Sequence, residues 1–265
     1  MKKRRALSRN VLALSVVAVL TAACGASGTP TAAPGAAAQT ARGHRRAGYA
    51  SLYSFTGSPD GAQPTGGLIV DGQFYGTTQL GGETKKCHDG CGTVFRISSD
   101  GQERVVYRFK GPPDGKYPQA GLTELSGELY GTTYYGGTGS CPGGCGVVFR
   151  VLLGREKVIY SFKGGADGAY PESVLFAING TLYGTTSAGG AQNEGTFFAV
   201  SPSGQESVVH SFQGGQNDGA VPIGNMAAVS GALYGATEKG GYGGGGTIFH
   251  AQPSGGEELV HSFVP

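Results

Sequence analysis

The pattern of apolar and polar positions after residue 50 predicts a succession of short β-strands. Stretches rich in Val, Ile, Tyr, Phe and Thr alternate with turns that contain glycine, as expected for strands joined by hairpins. No stretch spaces its apolar residues at the interval of about 3.6 residues that an amphipathic helix requires. We therefore expect an all-β domain and predict no helix in it.

One short sequence is repeated four times along this domain. It reads Leu-Tyr-Gly-Thr-Thr in two copies and differs by one residue in the other two, and a glycine pair follows each copy. Its tyrosines recur at intervals of 51 to 55 residues, as Tyr75, Tyr130, Tyr183 and Tyr234. Repetition of this kind indicates a structural unit that packs against copies of itself.

Each unit is predicted to contain four strands, which in the second unit cover residues 120–125, 128–133, 146–152 and 156–162. The first two strands are separated by a dipeptide that suits a two-residue hairpin, because Gly, Asn and Asp tolerate positive φ. The four dipeptides are Asp71-Gly72, Ser126-Gly127, Asn179-Gly180 and Ser230-Gly231. A lone sheet cannot bury both faces, so we expect a β-propeller of four four-stranded blades.

The number of blades is not fixed by the repeats. The segment predicted as the fourth strand occurs five times, ending at Phe55, Phe109, Phe162, Phe212 and Phe263. This makes seventeen strands, whereas four units need sixteen. We predict four blades, with the first and last copies competing for the outer edge of the last blade. A five-bladed ring with one incomplete blade and an open array are the alternatives.

The net charge argues against nucleic acid as a partner. The formal charge of the chain is +2, but eight of its twenty Lys and Arg precede residue 47. Residues 47–265 carry twelve basic and eighteen acidic side chains, and a nucleic-acid-binding surface would be basic.

Residues 1–24 have the features of a secretion signal. Basic residues near the start precede an apolar stretch at 11–23, which is too short to cross a bilayer as a helix. Small residues and then Cys24 follow, which resembles the lipidation site of bacterial lipoproteins, although Thr21 stands where Leu is usual. We expect Cys24 to carry lipid, and secretion without lipid is the alternative.

The segment between this signal and the repeats is expected to be a linker. Residues 25–49 are rich in Ala, Gly, Thr and Pro without an apolar period, which is typical of a flexible tether. The repeat domain then covers residues 50–265. Contact with a membrane is expected only through the N-terminal anchor.

Four of the five cysteines form two closely spaced pairs at the same place in adjacent units. They are Cys87 with Cys91 and Cys141 with Cys145. In an exported protein such pairs indicate two local disulfides, each of which stabilises the fold by about 2 kcal/mol. A zinc site that joins both pairs, together with His88, is the alternative.

The loop that leads into each unit carries the sequence Asp-Gly-x-x-Pro. Its aspartates are Asp60, Asp114, Asp167 and Asp218. Calcium loops carry oxygen ligands at alternating positions, and these loops do not. We expect the carboxylates to bond to nearby backbone in turns, and we predict no metal ion. A cation site at these aspartates is the alternative.

The long loops are where we expect binding. Because strands of a sheet alternate in direction, both long loops of every unit should lie on one face, and loops carry function more often than strands do. The residues that break the repeat on these loops are the candidates for ligand contact, namely Tyr134, Tyr135, Tyr242, Lys85 and Lys86.

The sequence contains no recognisable catalytic motif. No Gly-x-Ser-x-Gly, His-Glu-x-x-His or phosphate-binding glycine motif occurs, so we predict neither catalytic residues nor a cofactor. His210 and His261 hold the position that Tyr107 and Tyr160 hold in other units, which indicates strand packing. We expect a monomeric module that presents loops to a protein or a glycan. An enzyme acting on polysaccharide and a purely structural envelope protein are the alternatives.

The repeat resembles two known kinds of sequence. The order of Asn179-Gly180, Leu182-Tyr183 and Gly189-Gly190 is similar to that of a kelch propeller blade, although kelch blades usually carry a Trp and this chain has none. A closer resemblance is to the bacterial GloVer (gloeo/verruco) tandem repeat, in which Gly-Thr-Val-Phe follows, as at residues 92–95. This resemblance covers nearly all of residues 50–265 and implies an exported surface protein without an established activity.

Overall fold

The described residues form four successive antiparallel β-sheets, one for each sequence repeat, and a further two-stranded sheet in the second unit. The computed structural model describes residues 50–265 apart from 71, 84 and 153, and it gives only the backbone of residues 68–70. In the first sheet the strands follow chain order, as β1 (Gly61–Val70), β2 (Phe74–Gly81), β3 (Thr93–Ile97) and β4 (Glu103–Arg108). The all-β prediction is confirmed.

The other three sheets repeat this order with one variation in the first strand. In the second unit the strands are β5 (Gly115–Lys116), β6 (Thr123–Leu125), β7 (Glu128–Thr133), β8 (Tyr135–Gly136), β9 (Val147–Leu152) and β10 (Arg155–Ser161). The third unit contains β11 (Ala169–Pro171), β12 (Phe176–Ile178), β13 (Thr181–Ala188), β14 (Thr196–Val200) and β15 (Glu206–Ser211). The fourth contains β16 (Gly219–Val229), β17 (Ala232–Gly240), β18 (Thr247–Ala251) and β19 (Glu257–Ser262).

The first strand of every unit bends in the middle, and the sequence did not predict this. In the first and fourth units the bend is a register shift, between Thr65 and Ile69 and between Ile223 and Ala227. In the second and third units the strand is divided into two parts. The predicted strand at 120–125 therefore shrinks to β6, while the residues after Asp114 pair separately, as β5 with β8.

The predicted hairpin turns at Ser126-Gly127, Asn179-Gly180 and Ser230-Gly231 are present, whereas Asp71 of the first one lies outside the described residues. Ser126 and Gly127 have φ values of 56° and 79°, and Asn179 and Gly180 have 50° and 80°. Positive φ at both central residues is the signature of the turn whose twist matches paired β-strands.

The glycine of the Leu-Tyr-Gly-Thr-Thr repeat makes room for an aromatic ring. A Cβ atom on Gly131 would lie 2.6 Å from Cζ of Phe149, which is buried in the same sheet. Equivalent contacts recur at Gly184 with Phe198 and at Gly235 with Phe249. The repeated sequence therefore belongs to the scaffold.

The hydrophobic core lies between consecutive sheets. One buried cluster joins the first and second sheets, one the second and third, and one the third and fourth. Three of the repeat tyrosines take part: Tyr75 borders the first cluster, Tyr130 belongs to the cluster that includes Leu175 and Phe198 of the next unit, and Tyr183 belongs to the one that includes Phe249. Each of the first three sheets therefore buries one face against the sheet that follows it.

Helical structure is limited to one turn in the part of the chain that the structure describes. This is a 3-10 turn at Gly165–Asp167. No helix in that part has the length and apolar character needed to cross a lipid bilayer.

The two ends of the array differ in how their aromatic residues are buried. Phe109, Phe162 and Phe212, which follow the fourth strands of the first three units, are fully buried, and each packs on a phenylalanine of the next sheet. Phe55 makes the same contact with Phe95, at 4.8 Å between ring centroids, although residues 50–56 are not a strand. Phe263, at the other end, is 46% exposed. The segment predicted as the seventeenth strand is thus not a strand, and its Phe55 packs on the first sheet.

Candidate functional site

Both long loops of each unit lie together, as the alternation of strand direction predicts. The loop that carries Cys87 and Cys91 packs against the Asp-Gly-x-x-Pro loop that enters the second unit. A Cβ atom on Gly111 would lie 3.3 Å from Sγ of Cys91, and Nζ of Lys86 donates a hydrogen bond to the carbonyl of Pro112 at 3.0 Å. The corresponding contact in the next unit joins Gly164 to the second cysteine pair.

The two cysteine pairs lie at disulfide-bonding distance within their own loops. Cys87 is joined to Cys91 and Cys141 to Cys145. The four sulfur atoms are therefore engaged in pairs within each unit, whereas the zinc alternative would bring the pairs of adjacent units together.

The aspartates of the Asp-Gly-x-x-Pro loops accept hydrogen bonds from nearby backbone. Asp114 is representative, because its Oδ1 accepts from the N–H of Gly115 and its Oδ2 accepts from the N–H of Lys110 and from the hydroxyl of Tyr107. Asp60 bonds in the same way to Thr56, Gly61 and Tyr53. These contacts are the turn chemistry that the sequence suggests.

Two tyrosines in these loops adopt a left-handed backbone. Tyr117 has a φ of 58° and Tyr170 a φ of 61°, values uncommon for residues other than glycine. The N–H of Tyr117 donates to the carbonyl of Cys91 and that of Tyr170 to the carbonyl of Cys145, both at 2.9 Å. The cysteine loop of one unit thereby holds the tyrosine that stands at the entry of the next.

Four half-buried tyrosines meet between the second and third units and form what we call the tyrosine cluster. Its members are Tyr117, Tyr134, Tyr135 and Tyr170. The rings of Tyr134 and Tyr170 are stacked, with centroids 4.9 Å apart. Tyr135 meets both edge-on, at 4.6 and 5.5 Å, and reaches Tyr117 at 6.1 Å. The cluster combines aromatic faces with four hydroxyl groups, as ligand-contacting surfaces often do.

Charged and polar side chains surround the tyrosine cluster. Nζ of Lys116 lies 4.5 Å from the ring centre of Tyr117 and 5.8 Å from that of Tyr135, within reach of a cation–π interaction. On the other side, the hydroxyl of Ser187 donates to Oε1 of Glu172 at 2.9 Å. Burial, followed by the charge of Glu172, raises the pKa of Tyr134.

The structure brings together some of the predicted binding residues and leaves others apart. Tyr134 and Tyr135 lie in the tyrosine cluster, and Tyr117 and Tyr170 join them without having been predicted. Tyr242 is 69% exposed on a loop of the fourth unit, and Lys85 is exposed on the first cysteine loop. The candidate lipidation residue Cys24 and the remainder of residues 1–49 lie outside the described residues.

A second set of polar groups was missed by the sequence analysis. Wherever two sheets meet, a Tyr or His, the loop aspartate and a Glu from the next unit's fourth strand lie side by side. We call these the interface groups: Tyr107–Asp114–Glu156, Tyr160–Asp167–Glu206 and His210–Asp218–Glu257. A fourth, Tyr53–Asp60–Glu103, joins the N-terminal segment to the first sheet. The signal was available, because a Glu stands four residues before the Tyr or His position in every unit.

The glutamates of the interface groups have raised pKa values. Burial is the main cause, and the charge of the neighbouring aspartate adds to it, so that the pKa values of Glu156 and Glu206 rise to about 7. The pKa of Glu103 is also raised, again mainly by burial. In each of these residues no described group donates a hydrogen bond to the buried Oε1 atom. Perturbed acids in such a position can serve structure as well as function.

A comparison of sequences matches almost the whole of the described region to one family. The profile of the Gloeobacter/Verrucomicrobia repeat matches residues 40–151 and again residues 139–264. No curated protein sequence matches the chain.

Some solved structures have a similar backbone fold, but their sequence identity to this chain is low. A gluconolactonase from Xanthomonas campestris is 17% identical with a TM-score of 0.45, over 75% of this chain and 62% of the other. The GH43B protein of the Bacteroides ovatus xyloglucan PUL is 17% identical, with a TM-score of 0.42 over 81% and 42%. An oligogalacturonate lyase is 15% identical, with a TM-score of 0.44 over 74% and 53%. The chain spans less than two thirds of the length of each of these proteins. Their structural similarity supports no conclusion about what this protein binds.

Proposed function

Because the chain belongs to the family of the Gloeobacter/Verrucomicrobia repeat, we propose that it is an exported binding module whose repeated sheets present their long loops to a glycan or a protein. The tyrosine cluster carries this proposal. It lies on long loops, it crosses from the second unit to the third, and cysteine loops hold it in place. A rigid platform of this kind binds without first having to be ordered.

In this module the four sheets are the blades of a four-bladed β-propeller. The support is a cavity whose lining comes from the first strand, or the residues just before it, of every unit: Gly67, Leu122, Val174 and Asn225. The N–H of Val174 also donates to Oδ1 of Asn225 at 3.2 Å, which ties the third unit to the fourth at this cavity. First strands around a common axis are the arrangement of a propeller.

The composition of the tyrosine cluster suits both classes of ligand named in the proposal. Tyrosine rings offer apolar faces to the C–H groups of a sugar or to the side chains of a peptide, and their hydroxyls donate and accept hydrogen bonds. Lys116 and Glu172 add one charge of each sign. A glycan array and an array of cell-surface proteins, both probed with the same full-length chain, distinguish the two classes.

We expect replacement of Tyr134 by alanine to weaken binding to the ligand so identified by at least about tenfold. The stacked pair of Tyr134 and Tyr170 would be broken, and aromatic residues near the centre of a binding surface commonly contribute 2 kcal/mol or more, by rough estimate. Surface plasmon resonance with the wild type and with Tyr134→Ala measures the change.

The matched control lies at the opposite end of a sheet. Val229 is 56% exposed beside the Ser230-Gly231 turn, so Val229→Ala should leave binding within about twofold of the wild type. Equal affinity of the wild type and Tyr134→Ala would remove the tyrosine cluster from the proposal. An equal loss in both variants would show that binding does not use the long-loop face.

Export and anchoring complete the proposal. Two cysteine pairs at bonding distance suit a compartment where disulfides persist, and residues 1–24 carry the pattern of a signal with Cys24 at its end. We expect mass spectrometry of the mature protein to find diacylglycerol-modified Cys24 as its first residue. A mature N-terminus without lipid would instead assign the protein to the secreted class.

A further inference from the structure

The interface group between the third and fourth sheets differs from the other three in one residue. His210 of β15 stands where the others have a tyrosine. Its Nε2 atom lies 3.1 Å from Oδ2 of Asp218 and 3.9 Å from Oε2 of Glu257. The three potential ligand atoms all lie within 4.8 Å of one another, and no other group of His, Cys, Asp and Glu in the described ranges meets this geometry.

The exchange of tyrosine for histidine changes what the group can bind. A phenol at neutral pH is a hydrogen-bond donor, and Tyr107 and Tyr160 donate to their aspartates. A neutral imidazole offers a lone pair, and histidine is the commonest protein ligand of transition metals. One nitrogen and two carboxylate groups form a ligand set that zinc accepts.

Glu257 supplies an independent sign that the group is incomplete. Its side chain is only 6% exposed, yet no described residue donates a hydrogen bond to its Oε1 atom. A buried carboxylate oxygen without a partner is costly unless a proton or a cation compensates it. The same oxygen is unpartnered in the three tyrosine groups, but only in this group do the described residues place a ring nitrogen beside the glutamate carboxylate, with Nε2 of His210 3.9 Å from Oε2 of Glu257.

The backbone around Asp218 holds its carboxylate in place for a further ligand. Oδ1 accepts from the N–H of Gly219 at 2.6 Å, and Oδ2 accepts from the N–H of Gln213 at 2.7 Å. Hydrogen bonds of this kind orient carboxylates that bind metals. Zinc binds nitrogen and oxygen at about 2.0–2.2 Å, so a small inward movement of Glu257 would bring all three ligands within range.

We propose that His210, Asp218 and Glu257 bind one divalent transition-metal ion, of the class to which Zn²⁺ belongs, between the third and fourth sheets. Three protein ligands leave a coordination position for water or for another ligand. The site is independent of the tyrosine cluster, and its existence does not depend on what that cluster binds.

The experiment titrates the oxidised, chelator-stripped full-length chain with ZnCl₂ by calorimetry, and with CoCl₂ by visible absorption. We expect saturable binding that His210→Tyr weakens at least about tenfold, together with loss of the cobalt ligand-field bands. His210→Tyr recreates the group that the first three positions already hold, so it should fold, and its melting temperature in EDTA verifies this.

The converse variant makes the test specific. Tyr160→His places an imidazole beside Asp167 and Glu206 and should add a second equivalent of bound zinc. The proposal fails if the wild type binds no zinc, or if His210→Tyr binds as the wild type does, since other histidines would then be responsible. It fails as well if Co²⁺ does not bind, or if its visible spectrum is the same with the wild type and with His210→Tyr, because His210 would then not be a ligand.

Discussion

Replacing Phe162 by alanine is expected to lower the free energy of unfolding by about 3–5 kcal/mol, whereas the same change at Phe263 should lower it by less than about 1 kcal/mol. The two residues occupy the same position in the repeat. Phe162 is fully buried and packs edge-on against Phe198 of the next sheet, with centroids 5.0 Å apart. Phe263 is 46% exposed, and its ring packs against His261 of its own sheet.

Urea unfolding of the two variants, with disulfides intact, measures the difference. Tyrosine fluorescence is a usable probe because the chain has 13 Tyr and no Trp. Phe55→Ala should fall between the two, since Phe55 contacts Phe95 but is only partly buried. If Phe263→Ala lowers the free energy of unfolding as much as Phe162→Ala does, then β19 must pack on the first sheet. The arrangement of the two ends described above would then be wrong.

The contrast between these phenylalanines also shows what the repeats could and could not predict. The sheets were predictable because each turn has its own chemistry: Ser126-Gly127 and Asn179-Gly180 take positive φ, and Gly131 leaves space for Phe149. These are local causes, visible in the order of residues. The segment predicted as the fourth strand occurs five times, and the sequence could not show which of the two end copies would be buried. Phe55 and Phe263 carry the same local sequence signal, and they differ only in the structure that surrounds them.

The residues of the tyrosine cluster also divide into those that the sequence predicts and those that it does not. Tyr134 and Tyr135 were predicted because they break the repeat. Tyr117 and Tyr170 were not, although both occupy the last variable position of Asp-Gly-x-x-Pro, where the other units have Gln63 and Val221. Lys116, next to Tyr117, pairs with Tyr135 where β5 meets β8, and Tyr170 reaches this place from the next unit. Contacts between units are not visible in the order of residues.

The interface groups were missed for a different reason. Their glutamates recur in every unit, but a charged residue near the start of a strand is ordinarily solvated. Only the packing of one sheet on the next buries Glu156 beside Asp114 and Glu206 beside Asp167. The same packing has a measurable consequence for stability.

The variant Glu156→Gln/Glu206→Gln is expected to be more stable than the wild type at pH 8 and equally stable at pH 4.5. The pKa values of both glutamates rise from an ordinary 4.5 to about 7, chiefly through burial. Between these values the folded state keeps protons that the unfolded chain releases. The free energy of unfolding of the wild type therefore falls as the pH rises through this window, and it stays lower above it. Because glutamine resembles the protonated acid and does not titrate, the double variant should not show this decrease in the free energy of unfolding.

Burial sets most of the size of the effect, and the groups that face the two glutamates modify it. Glu206 lies near Asp167, which raises its pKa further, while Tyr160 and Lys163 lower it. A shift of this size corresponds to roughly 3 kcal/mol per residue, and partial exposure to solvent reduces it. We expect about 1–2 kcal/mol for each glutamate and about 3 kcal/mol for the pair. For Glu156 the corresponding neighbours are Asp114, Tyr107 and Lys110.

Urea unfolding at pH values from 4.5 to 8, in the presence of EDTA, gives both stability curves. Glu238→Gln is the matched control, because Glu238 is exposed and its replacement should leave the curve unchanged. The His210 group is intact in the double variant, so any slope that remains belongs to that group and to other acids. Parallel curves for the wild type and the double variant would contradict the assignment, since the two glutamates would then titrate alike in the folded and unfolded chains. A double variant less stable at pH 8 would mean that Glu156 and Glu206 act as ionised hydrogen-bond acceptors, and that the pairing of tyrosine with aspartate at each sheet contact needs their charge.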